Sequence, residues 1–309
     1  LTTFYAGSFL KVVVLSGLFG LLLYTILTKI SMRVQVYESS NGESFVQLLK
    51  SILLGLSNGH SLGFRLFVRD LKAGLEASLL GYVWIALPAL ASAGLWIFIQ
   101  QQKIISIADT ALPYPVFVLI GTTCWTVFAE SINKPIQRYK SAMSLMVKLN
   151  FPREAIFVSA IYDLLFSLIL KVVVLFVIIS ALGVAPSFAW AGILFFALGS
   201  LFIGVSFGLL ISPFGVLLND FSRALNMVMP FIMYLTPVVF TIQSDSFLGK
   251  MQVFNPVTPW IEAARNVLTG APIDFYALGL WVGISLVLSL VGLMLMRIAL
   301  PIIVERAGS

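Results

Sequence analysis

Seven apolar runs, at residues 9–28, 79–100, 113–131, 156–183, 188–212, 225–241 and 275–300, limit what this chain can fold into more than any other feature. A hydrocarbon core about 30 Å thick is crossed by roughly 20 apolar residues in helix. Inside it, only a helix or a closed barrel satisfies its own backbone. The runs are continuous and of helix length, not alternating and of strand length. With 60% apolar residues, 10% charged ones and a mean hydropathy of +1.03, the composition is far from that of soluble domains, which are about half apolar and a quarter charged. The sequence predicts an all-α polytopic membrane protein.

Residues 1–43 hold the first run and a linker; the run reads as an uncleaved signal-anchor span or as a signal peptide. Residues 44–78 carry two amphipathic stretches. In the first, Phe45, Leu48, Leu49, Ile52, Leu53 and Leu56 recur at helical spacing. In the second, Phe64, Phe67, Val68, Leu71 and Leu75 form a stripe opposite Arg65, Arg69, Lys72 and Glu76. Such a pattern predicts helix lying in the membrane interface, its basic side toward headgroups or a partner. Residues 79–300 contain six further runs, and 301–309 form a tail.

The net charge of +6 is dispersed between the runs, as topology signals are, and not clustered as for nucleic acid. One side collects Arg33, Lys50, Arg65, Arg69, Lys72, Lys134, Arg138, Lys140, Lys148, Arg153, Arg223, Arg297 and Arg306. The other has only Lys11, Lys103, Lys250 and Arg265. The positive-inside rule makes the first side, and with it the C-terminus, cytoplasmic. Between the last two runs, residues 242–274 break with Gly249, Pro256, Pro259, Gly270 and Pro272, yet include the helical stretch TPWIEAARNVLTG. Thr258 is the expected cap, with Pro259 at the first position and Glu262 in the first turn. The expectation is a short helix dipping back from the outer surface over about 242–270, a plain outer loop being the alternative.

Catalytic chemistry finds little foothold. Cys124 and His60 are the single cysteine and histidine, which excludes an intrachain disulfide and any Cys- or His-cluster metal site. Glu130, Asp163, Asp220, Asp245, Glu262 and Asp274 are scattered over several segments, and no nucleophile elbow or phosphate-cradling glycine loop is present. The chain reads as a non-enzyme. Asp163 and Lys171 lie two helical turns apart on the fourth run and, as intramembrane charges, point to function by default; a proton-coupled carrier built on them is one rival. Tyr82, Trp84, Trp96, Phe98, Tyr114, Phe117, Trp125 and Phe128 crowd the second and third runs, for belts and packing or for stacking on sugar rings. Gly204-xxx-Gly208 and Gly279-xxx-Gly283 are pairs that let helices approach closely.

The order of four stretches, RDLKAGLEASLLGYVW, VKLNFPREAI, NDFSRALNMVMPFIMYLTPVVF and NPVTPWIEAARNVLTG, resembles the permease subunit of ABC-2 type exporters. The likeness is to the branch that moves O-antigens, capsules and teichoic acids, and it covers roughly residues 60–300. The resemblance implies a homodimer of six-span subunits in the bacterial cytoplasmic membrane, with two ABC ATPase subunits beneath it. ATP and Mg belong to those partners, and no cofactor or metal to this chain. It implies an interface helix with Arg65, Arg69, Asp70 and Lys72, and an ATPase-coupling turn with Lys148, Phe151, Pro152, Arg153 and Glu154. It implies an outer gate with Asn255, Pro256, Pro259 and Glu262, and channel-lining aromatics among Tyr82, Trp84, Trp96 and Phe98. The run at 9–28 departs from the family pattern, which begins with a cytoplasmic tail and the interface helix. Other readings are an exporter of a lipid, drug or antibiotic, and a membrane-embedded enzyme of glycan assembly.

Overall fold

The computed structural model describes residues 45–76, 87–88, 91, 94–95, 98–99, 112–148, 154–185, 187–241 and 247–308. The run at 9–28 and most of 79–100 lie outside the described residues. The chain divides into two units, Leu1–Gln47 and Leu48–Ser309, and the helical bundle belongs to the second. Among the described residues every regular element is helical: α1 (Phe45–Glu76), α2 (Tyr114–Ser141), α3 (Met143–Lys148), α4 (Glu154–Ala181), α5 (Ala189–Leu217), α6 (Asn219–Leu235), α7 (Phe247–Gln252), α8 (Thr258–Thr269) and α9 (Phe275–Gly308). Among the described residues four stretches, Tyr114–Lys148, Glu154–Ala181, Ala189–Leu217 and Phe275–Glu305, are long and apolar enough to cross a membrane. The fold is an all-α polytopic membrane protein.

α2 and α5 are the central pair, with α4 against α2, and α9 and α8 against α5. In lipid no hydrophobic force drives helices together, so small residues at the contact decide which faces meet. Gly204 and Gly208 of α5 lie against Phe128, Ser131 and Ile132 of α2; a Cβ at Gly208 would stand 2.7 Å from the Ile132 carbonyl oxygen. That glycine pair packs as its spacing predicts. Gly279 and Gly283 do not, for nothing in the described chain lies within 4 Å of a Cβ at either. Gly292, further along α9, meets Leu209 and Leu210 of α5 instead, and Ser206 and Ser289 hydrogen-bond across the same contact at 2.7 Å.

Two sequence-derived boundaries shift. The third run continues as helix to Ser141, through Lys134 and Arg138, which the sequence alone places in a loop. The sixth run is helix only to Leu235, because Pro237 supplies no N–H and disfavours helix at Thr236. At 17 residues, α6 reaches about 25 Å, and the chain then turns out of helix through Thr236–Phe240.

Candidate functional site

The two ends of the bundle differ in chemistry. At the basic end α2 finishes, α3 follows, α4 begins, α5 turns into α6, and Arg297 lies on α9. α1, which joins both amphipathic stretches into one helix, packs on the start of α4 through Gly55, Gly59 and Gly63. Added Cβ atoms there would come within 2.7 Å of the Glu154 carboxylate, 3.0 Å of Ala155 N and 2.8 Å of Val158, respectively. Phe67, buried, stacks on Tyr162 and meets Phe166, while His60 hydrogen-bonds the Tyr162 hydroxyl. The apolar stripe of α1 is thus partly used on α4, and Arg65, Arg69 and Lys72 remain exposed on the other side.

Asp70 is the exception on that helix. It turns inward to an ion pair with Arg138 of α2, and also accepts from Arg69 Nε at 2.8 Å. Arg138 donates through Nη2 to Asp163 of α4 at 2.8 Å, and Lys134 reaches the same Asp163 oxygen at 2.9 Å. Deeper still, Lys171 of α4 pairs with Glu130 of α2, whose carboxylate also accepts from Ser167 Oγ at 3.0 Å. Glu130, Lys134 and Arg138 are spaced i, i+4, i+8 on α2, and Asp163, Ser167 and Lys171 repeat that spacing on α4, so two straight faces meet. The six charged side chains are 13–29% exposed, and three carboxylates match three cations. Burial of charge is tolerated on these terms, with every member paired and hydrogen-bonded. Asp163 and Lys171, noted in the sequence as neighbours on one face, therefore pair with α2 and not with each other.

Of the coupling residues, Lys148 is exposed at the end of α3, and Phe151, Pro152 and Arg153 lie outside the described residues. Glu154 opens α4, where an acid is favoured. Its carboxylate faces Gly55 and lies 3.7 Å from Arg297 of α9, joining α1, α4 and α9. Lys140 Nζ donates to Asn219 Oδ1 at 3.0 Å and to Ser222 Oγ at 2.9 Å, fastening the end of α2 to the start of α6.

At the opposite end, α8 is packed between α2 and α5. Trp260 lies over Gly199, ten residues into α5, and Val267 lies over Gly192, three residues into it. The first turn of α8 is consequently deeper than its last by about 10 Å. Asn255 and Pro256, just before α8, line an apolar cavity with Phe128 and Phe207. Asn255 donates to Thr236 Oγ1 at 2.8 Å and accepts from Val257 N at 3.1 Å, tying the break after α6 to the turn before α8. α8 starts on Thr258 itself with no side-chain cap, Pro259 follows it, and Glu262 stands beyond the first turn. The expected threonine cap is not made: Asn255 already holds the turn, and the Thr258 hydroxyl is buried without a hydrogen-bond partner among the described residues. Gly270 ends the helix at φ 70, a conformation glycine adopts without strain.

Arg265 is the residue the sequence reading placed most wrongly, as a topology charge. It is 5% exposed. Its guanidinium donates to the carbonyls of Phe117 (3.1 Å), Pro237 (2.7 Å) and Val238 (2.5 Å), and sits 3.4 Å above the Phe117 ring. Pro237 and Val238 lie in the non-helical break, where lipid would leave their oxygens unsatisfied; the rigid fork of an arginine supplies the donors. The sequence does contain the signal, since Arg265 falls four residues after Ile261 on the apolar face of α8. Burial raises the Glu262 carboxyl above its ordinary value, Asp274 adds to the rise and the Arg265 charge opposes it.

The aromatics divide. Trp125 and Phe128 pack on each other with centroids 5.5 Å apart, Phe117 lies under Arg265, and Tyr114 donates to the Val239 carbonyl at 2.9 Å. These serve packing. Phe98 is exposed, and Tyr82, Trp84 and Trp96 lie outside the described residues. Among the described residues no cluster of three His, Cys, Asp or Glu side chains suits a metal ion.

No family model matches the chain. Two O-antigen export system permease proteins RfbA of Klebsiella pneumoniae are 25% and 23% identical to it, each over 232 residues, 73% of this chain and 86% of theirs. An O-antigen export system permease protein RfbA of Myxococcus xanthus is 24% identical over 208 residues, 64% of this chain and 76% of its own. The chain is thus similar to O-antigen export permeases over most of its length, and the resemblance to ABC-2 export permeases carried by its four motifs is borne out.

Proposed function

We propose that the chain is the membrane-spanning subunit of an ATP-driven exporter that moves a lipid-linked, O-antigen-type polysaccharide across the bacterial cytoplasmic membrane. The observation that carries the reading is the likeness to O-antigen export permeases over 232 residues. The chain acts as a homodimer with two copies of a cytoplasmic ABC ATPase, which bind ATP and Mg, and its C-terminus is cytoplasmic. Transport is mechanical. A ligand shifts a two-state equilibrium only by its differential contacts with the two states, so ATP closure of the partner must act through surfaces that reach the bundle. Lys148 on α3 and the exposed basic side of α1, with Arg65, Arg69 and Lys72, are those surfaces, together with Phe151, Pro152 and Arg153. Glu154 acts one step inward, where it meets Gly55 and Arg297. From α1 the motion passes through Asp70 and Arg138 to Asp163 and Lys134, and so to α2 and α4. The segment that holds α7 and α8, with Asn255, Pro256, Pro259 and Glu262, is the outer gate.

The test is co-expression with a candidate ABC ATPase of the source strain, purification through one tag, and glycan staining of cells lacking the gene. The proposal expects a stable complex, loss of surface glycan on deletion, and loss of the complex in Lys148→Glu combined with Arg153→Glu. A wild-type chain that does not retain the ATPase, or a deletion strain with normal surface glycan, overturns it.

A further inference from the structure

α6 is tied to the bundle at its two ends and lies loosely between them. Among the described residues of α6, Met229 alone is buried, whereas more than half of α2 and of α5 is. Leu225, Ile232 and Leu235 of α6 share with Ile132 of α2 and Ile211 of α5 the lining of the apolar cavity, about 410 Å³ in volume. Close-packed interiors hold few voids larger than a water molecule. A ligand site adds a few convergent polar groups to its apolar walls. Here the polar lining residue, Asn255, already bonds Thr236 and Val257, and the rest of the lining is apolar. The cavity is room behind a helix.

The two ties are polar. At the basic end Lys140 of α2 holds Asn219 and Ser222, and Ser222 donates to the Gly215 carbonyl at 2.9 Å. At the other end Thr236–Val239 is buried and leaves helix, and side chains from elsewhere serve as its hydrogen-bond partners. Arg265 takes the Pro237 and Val238 carbonyls, Tyr114 the Val239 carbonyl, and Asn255 the Thr236 hydroxyl. A Cβ at Gly121 would overlap both the Arg265 guanidinium and the Val238 oxygen, so α2 is hollowed to admit this clasp. Side-chain bonds lengthen or change partner without unwinding a helix, whereas a backbone ladder does not. Pro237 has no N–H to offer such a ladder, and Pro230, within α6, withholds the bond to the Asn226 carbonyl.

We propose that α6 is a hinged strap, which pivots at the clasped Thr236–Val239 joint and closes on the apolar cavity between itself, α2 and α5. The arrangement described above is the open state. Two opposing effects set the balance. Closing brings Leu225, Ile232 and Leu235 into the cavity, where contacts between packed side chains are gained. Opening restores the clasp bonds, which closing lengthens. The hinge rests on this chain alone, while a link between its closure and ATP rests on the export reading. In that reading the Lys140 tie carries the movement, since it fastens the base of α6 to the end of α2, just before α3.

The test uses the full chain in nanodiscs, alone and with its ABC ATPase. A trifluoromethyl tag is attached at Met227→Cys, a position 69% exposed on α6, or at Leu198→Cys on α5 as the control. Cys124 is buried and stays untagged. Fluorine NMR with saturation transfer, which detects minor states, is expected to show two exchanging resonances from the α6 tag and one from the α5 tag. Ile211→Trp, which fills the cavity, should reduce one α6 resonance about tenfold or more and so identify it as the closed state. Tyr114→Phe, which removes one clasp bond, should raise that same resonance about fivefold, as loss of one ordinary hydrogen bond does. If Ile211→Trp fails to fold, Leu225→Phe carries the comparison. A single α6 resonance, or populations unmoved by both variants, overturns the strap. So does a co-purified lipid that Ile211→Trp excludes, for the cavity is then a lipid site. A non-hydrolysable ATP analogue should shift the populations in the complex. Two populations that ignore it uphold the strap and refute its link to ATP, while failure to bind the ATPase refutes the export reading alone.

Discussion

Replacing Asp163 with asparagine keeps its shape and removes one charge from the three-by-three set shared by α1, α2 and α4. Two charge-assisted contacts are weakened, to Lys134 at 2.9 Å and to Arg138 at 2.8 Å. Hydrogen bonds to charged groups are worth about 1.5–3 kcal/mol each, and removal of one partner of a buried pair costs about 3–5 kcal/mol. The loss here is smaller, because Arg138 keeps Asp70, Lys134 keeps Glu130 at 3.6 Å, and the amide oxygen still accepts one bond. We expect about 2–3 kcal/mol, or a fall of about 4–12 °C in melting temperature for a chain of this size. The assay is thermal melting of detergent-solubilised protein followed by size-exclusion fluorescence. Adding Lys134→Gln restores neutrality, so the double variant should recover about 1–3 kcal/mol relative to additivity. Asp220→Asn is the control: its pair with Arg223 is almost wholly exposed and should leave melting unchanged. Strict additivity of the two ladder variants, or wild-type melting of Asp163→Asn, would refute the account of the ladder.

Other outcomes rest on the same contacts. Gly63→Ala, whose Cβ would come 2.8 Å from the Ala155 oxygen, should cost about 1–3 kcal/mol and uncouple ATP hydrolysis from export. Gly74→Ala, with nothing within 4 Å, should stabilise α1 by about 1 kcal/mol, both being read by melting and ATPase assays. Arg265→Lys cannot reproduce the three-carbonyl fork and should cost about 2–4 kcal/mol. It should also speed maleimide labelling of Cys124, the single cysteine, which is buried in the wild type. Glu262 has a folded-state carboxyl value raised above its unfolded one, so its contribution is present below the unfolded value and lost as pH rises through the raised one. Melting temperature should therefore fall as pH climbs through and just above the ordinary carboxylate range, and Glu262→Gln should flatten that slope.

Much of the architecture was readable because lipid makes helix length legible. The runs at 156–183, 188–212 and 275–300 become α4, α5 and α9 with shifted ends. What misled was charge. Lys134 and Arg138 read as loop residues, since hydropathy counts each residue alone and cannot see that Asp163 and Asp70 neutralise them from other helices. The i, i+4 order of Glu130, Lys134 and Arg138 was the available sign of helix. Arg265 failed for a related reason: its partners are backbone carbonyls, which have no sequence signature. Gly279-xxx-Gly283 has the same letters as Gly204-xxx-Gly208, yet only the second meets a neighbour, because spacing says that a helix face is smooth and not what lies against it.

The charge ladder also sets depth. α4 and α5 are apolar on all sides, so greasiness neither orients them nor tells α4 how far to slide along α2. The charges do both. Were α4 to slip one turn, about 5.4 Å, toward the basic end, Asp163 would pass Lys134 and lose it, and Lys171 would move to the level of Ser167, between Glu130 and the like charge of Lys134. A slip the other way would leave Lys171 without Glu130. Each wrong alignment carries its own penalty, so the ladder works as a key cut for a single depth, and helices that are moved apart have one place to return to.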